Sequence, residues 1–72
     1  MKQRTVNRLW HNYCRGKSTK MGNYTYTLQW NPMNNSWWIV RCPVGHERDE
    51  YITVDGLIDS YWEWLEPVTI TD

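Results

Sequence analysis

Seventy-two residues set the limit at one domain, 1–72, with no room for a second core or a sizeable enzyme. Eight Lys/Arg balance eight Asp/Glu, which excludes a bulk polycation and an acidic mimic of nucleic acid alike. No stretch approaches the roughly 20 apolar residues of a membrane span and no apolar segment follows the basic start, so a soluble, cytoplasmic protein is expected.

The first element expected is an amphipathic helix over residues 5–15. Val6, Leu9, Trp10 and Tyr13 recur at i, i+3, i+4 and i+7 and so share one stripe, while Arg8, Asn12 and Arg15 take the opposite side. Thr5 is a candidate N-cap, and Gly16 suits a left-handed stop. Residues 17–23 read as a polar loop. Tyr24, Tyr26, Leu28 and Trp30 then alternate with Thr25, Thr27 and Gln29, the period-two signature of a strand. Residues 31–36 form a turn cluster, and residues 37–42 make a second strand that Pro43 ends, giving a hairpin of 24–30 with 37–42. In that second strand Trp37, Ile39 and Arg41 share one face and Trp38, Val40 and Cys42 the other; bulk on both sides predicts a central or doubly covered strand.

A charged loop and a short extended piece at 51–52 follow. Leu57, Ile58, Tyr61, Trp62 and Leu65 lie on a helical stripe, so a second helix is expected over 54–66, capped by Thr53 and ended by Pro67. Its outer side would carry Asp59, Glu63 and Glu66. A last short strand is expected at 68–71. The fold class predicted is therefore α+β: a small antiparallel sheet with helices at the two ends of the chain. In architecture alone, with no shared motif, this order resembles small antitoxins and phage-encoded inhibitors.

Six Trp and five Tyr stand beside thirteen Leu, Ile and Val, with no Phe and no Ala. A small core does not need all eleven rings, and indole and phenol groups suit half-wet surfaces and interface hot spots. Charge is also divided along the chain. Lys2, Arg4, Arg8, Arg15, Lys17 and Lys20 precede any acid, and all eight acids fall between Glu47 and Asp72. Pairing of the two ends is one outcome; one basic and one acidic face is the other.

Four side chains have metal-ligating chemistry: His11 and Cys14 as H-x2-C, Cys42 and His46 as C-x3-H. Together they would suit a tetrahedral structural zinc ion, although zinc ribbons normally place two cysteines in each pair. The preferred reading is two reduced, semi-buried thiols and two solvent-facing imidazoles, with neither a cofactor nor a Cys14–Cys42 disulfide. A catalytic Cys–His dyad could be drawn from the same residues, but no phosphate-binding, nucleophile-elbow or metalloprotease motif accompanies it.

The function expected is a small non-catalytic protein-binding module that inhibits or adapts a larger host protein, such as a nucleic-acid-handling enzyme. A viral, phage or mobile-element origin suits so short a chain. Its contact surface would be Tyr24, Tyr26, Trp30, Trp37 and Trp38, joined by Asp59, Glu63 and Glu66. The alternative, from another class, is a nucleic-acid-binding module using Arg4, Arg8, Arg15, Lys17 and Lys20, stapled by zinc.

Overall fold

The computed structural model describes residues 1–47 and 61–69. Its first element is helix α1 (Gln3–Cys14). Val6 and Leu9 are its buried positions, as the apolar spacing requires. The start lies two residues earlier than Thr5. Lys2 is the N-cap in extended conformation, without a side-chain cap, and its carbonyl accepts from the N–H groups of Thr5 and Val6. Gly16, at φ +73°, ends the helix as expected. Its N–H reaches the Tyr13 carbonyl at 2.9 Å, and the Lys17 N–H reaches Asn12 at 2.9 Å, the paired bonds of a Schellman stop.

Among the described residues four strands follow: β1 (Thr19–Met21), β2 (Tyr24–Asn31), β3 (Ser36–Pro43) and β4 (Glu63–Val68). They form one antiparallel sheet in the order β1-β2-β3-β4. The β2–β3 hairpin is the one read from the sequence, one residue longer at most ends, and β3 is an inner strand. Its turn is held by Asn31, whose side-chain oxygen accepts from the N–H of Met33 at 3.0 Å and of Asn34 at 3.3 Å. Asn35 takes the left-handed conformation, φ +51°, that closes the loop.

Three expectations need correction. The segment 17–23 is not all loop. Thr19–Met21 pairs with Tyr24–Tyr26 across a two-residue turn whose first residue, Gly22, has the positive φ (+64°) of a hairpin turn. The expected helix at 54–66 fails over its second half: residues 63–66 are strand, paired antiparallel with β3. The physical reason is that β3 would otherwise leave an edge open beside two bulky faces, and pairing with β4 satisfies the backbone and both rows of side chains at once. Residues 54–60, the extended piece at 51–52 and the end of the expected strand at 68–71 lie outside the described residues; Val68 is the last residue of β4. Thr5, third, is inside the helix and caps nothing.

The sheet is covered on both faces. On one, Val6 and Leu9 of α1 pack with Leu28 and Ile39, flanked by Trp10, Tyr13, Met21, Tyr26, Trp37, Leu65 and Val68. On the other, Val40, Cys42 and Trp62 are buried with Trp64 beside them. A register shift lets Leu65 into β4 as an extra residue between the pairs Ile39–Glu66 and Val40–Trp64, which turns Leu65 to the helix side while Trp64 stays on the other. Among the described residues no helix is long and apolar enough to cross a membrane.

Candidate functional site

The aromatic residues are arranged around Trp37. Its ring meets Trp10 at 5.3 Å, Tyr13 at 5.4 Å and Trp30 at 5.8 Å between centroids, each edge to face, while Trp10 and Tyr13 stack on one another at 5.6 Å. Alternation along β2 and β3 puts Trp30 directly opposite Trp37, and the helical repeat of α1 brings Trp10 and Tyr13 down onto the same ring. The result is a row of rings running from the helix to the hairpin turn. Trp30 ends the row and is 45% exposed. Three residues further on, in the turn itself, Met33 is 79% exposed. The Asn31 side chain holds the backbone beneath Met33, so the tip is a fixed shape and not a loose loop.

The expected protein-binding set is thus divided. Tyr24, Tyr26, Trp30 and Trp37 lie on the helix side of the sheet, but Trp38 lies on the other, 6.1 Å from Trp64, with its indole N–H donating to the Ser36 hydroxyl at 2.8 Å. Strand parity forces this, since neighbours in a strand face opposite ways. Tyr24 carries the Arg41 guanidinium over its ring at 4.2 Å. Arg41 also pairs with Glu63, and this carboxylate first, then the Tyr26 hydroxyl, holds the guanidinium proton even more firmly than usual.

The acidic surface changes character as well. Glu63 and Glu66 belong to a strand and not to a helix; Glu63 is paired with Arg41, and Glu66 with the Met1 amino group at 2.7 Å. Asp59 lies outside the described residues. On the basic side, Arg4, Arg8, Arg15, Lys17 and Lys20 are all exposed, and none of them takes part in an ion pair among the described residues. This is costly for the helix. Arg4 sits in the first turn, at the positive end of the dipole, at about 0.3–1 kcal/mol. Arg4 and Arg8 repel at i, i+4 by a further ~0.2–0.5 kcal/mol, and no acid in the first turn offsets them.

The four candidate zinc ligands do not converge. His11 and Cys14 are exposed on α1, whereas Cys42 is fully buried on the opposite face of the sheet, so β3 itself stands between the two thiols. His46 is exposed and stacks on Tyr61 at 4.3 Å, joining the loop after β3 to the start of β4. Neither cysteine is in a disulfide, and no cluster of three His, Cys, Asp or Glu occurs among the described residues. The residues therefore do not fit a tetrahedral zinc site.

Two features escaped the sequence reading. One is Met33, a large apolar side chain in a turn of Pro and Asn; its isolation in a polar segment was the available signal. The other is Glu47, whose carboxylate accepts from the fully buried Thr25 hydroxyl and, at 2.7 Å, from the Gly45 N–H. The Thr25 bond above all, helped by backbone N–H groups, holds this carboxyl below the ordinary carboxylate range. No family model, curated protein or solved structure matches the chain.

Proposed function

We propose that the chain is a non-catalytic protein-binding module, an inhibitor or adaptor of a larger protein, and that it binds through the tip of the β2–β3 hairpin. The observation that carries this reading is the exposure of two large apolar side chains at one end of the hairpin, Trp30 near the end of β2 and Met33 in the turn that the Asn31 side chain holds. Trp and Met are enriched at interfaces, and a pre-ordered tip loses little freedom on binding. A backing of Trp37, Trp10 and Tyr13 gives Trp30 the rigid support that an anchor residue needs. Glu63 and Glu66 are left out of the contact surface, because their carboxylates hold Arg41 and the amino terminus.

The test is capture of a partner from extract by immobilised protein, compared between wild type and Met33→Glu. Met33 is so exposed that the change should leave the folding stability within about 0.5 kcal/mol of wild type. Loss of the captured protein with an unchanged melt supports the tip; undiminished capture refutes it.

A further inference from the structure

The tip leaves the outer side of α1 unused, and that side has a chemistry of its own. Arg4, Arg8, His11 and Arg15 follow one another at i, i+4, i+7 and i+11 and are all exposed. At 100° per residue they form one line along the solvent side of the helix, opposite Val6 and Leu9 and about 16 Å long from Arg4 to Arg15. Trp10 lies on a different flank, turned toward Trp37. The line contains no acid and no apolar side chain. Its amino-terminal half works against the helix, through Arg4 in the first turn and the Arg4–Arg8 repulsion, and no ion pair among the described residues relieves it.

We infer that this line of arginines is a second binding site, and that its ligand is the phosphate backbone of double-stranded nucleic acid, read without regard to sequence. The choice of ligand follows from what the line lacks. A protein surface that binds an acidic partner needs apolar or aromatic anchors at its centre, and none is present here. A phosphate backbone asks only for cations placed along a track. A single strand would be held by rings on which bases stack, and the nearest rings, Trp10 and Tyr13, pack against Trp37 away from the line. The site goes beyond the proposed tip contact and is separate from it, so the protein can hold a partner with the hairpin while the helix lies along a duplex.

The experiment is fluorescence anisotropy of a labelled, mixed-sequence DNA duplex titrated with the full chain between about 50 and about 200 mM salt. Three phosphate contacts, from Arg4, Arg8 and Arg15, give a slope of log K against log salt of about −2.7, or a ~40-fold loss of affinity over that range. Arg8→Gln with Arg15→Gln leaves one contact, a slope of about −0.9 and a loss of only about three- to fourfold. Arg8→Lys with Arg15→Lys keeps the charges and should restore the steep slope. Far-UV circular dichroism of each variant verifies the helix. The proposal is overturned by absence of duplex binding at about 50 mM salt, by a slope that the glutamine pair leaves unchanged, by tighter binding of the matching single strand, or by polyglutamate competing as well as the duplex.

Discussion

Trp37→Ala should be the most damaging single change among the described rings that are not fully buried. Its side chain makes three edge-to-face contacts, with Trp10, Tyr13 and Trp30, and joins helix to hairpin. Each such pair contributes about 0.5–1.5 kcal/mol beyond the area it buries. Removing a large packed ring altogether costs about 3–5 kcal/mol. A 72-residue chain has about 4–11 kcal/mol in hand, so this one substitution takes about a quarter of it or more. Trp30→Ala breaks only one of the three ring pairs and removes a side chain that is nearly half in water, so its cost should be about 1–2 kcal/mol. The assay is urea unfolding followed by far-UV circular dichroism, since fluorescence would change with the deleted indole itself. With a slope near 1 kcal/mol per molar, the Trp37 variant loses about 3 M or more in midpoint, or has no transition left, against about 1–2 M for Trp30→Ala. Equal shifts in the two variants, or a shift below about 1 M for Trp37→Ala, would refute the picture of Trp37 as the hub.

Two more outcomes follow from the sites described. Because the folded-state pKa of Glu47 lies below its ordinary value, its contribution is complete above the ordinary carboxylate range and is lost as pH falls through the folded-state value. Glu47→Gln should therefore be less stable than wild type at pH near 7, and urea midpoints of the two should meet in acid; a gap that stays constant with pH would contradict the assignment. The thiols should separate kinetically: Cys14, exposed at the end of α1, should react with a thiol reagent in the native protein, and Cys42, fully buried, only on unfolding. Equal native reactivity would mean that the face behind β3 is open.

Where local pattern and tertiary demand agree, the sequence was readable. The hairpin came from strict alternation, and Gly16 from its place after the last apolar position of the helix. The facing of Trp37 against Trp38 was also there in the parity of β3, and the same parity already put Cys42 away from α1. Strand period alone thus separates Trp38 from the other four rings, and Cys42 from the helix that carries His11 and Cys14. Other features were not legible. The stretch from Tyr61 to Val68 satisfies a helical stripe through Tyr61, Trp62 and Leu65, and only the open side of β3 makes it a strand. Three residues, Thr19 to Met21, are too few to show a period, and their pairing is imposed by the Gly22 turn. Which ring would end the aromatic row depends on where the helix crosses the sheet, a tertiary fact.

Among the described residues, the two outer strands are poor templates for another chain. β1 offers only three residues, and β4 interrupts its ladder with the Leu65 bulge and places Pro67, which has no N–H to donate, near its end. Neighbouring molecules are thereby denied a straight row of free amide groups on which to zip. For a protein so rich in strand-forming aromatics, that geometry guards against fibrous self-association, and it directs recognition to side chains instead of to main-chain pairing.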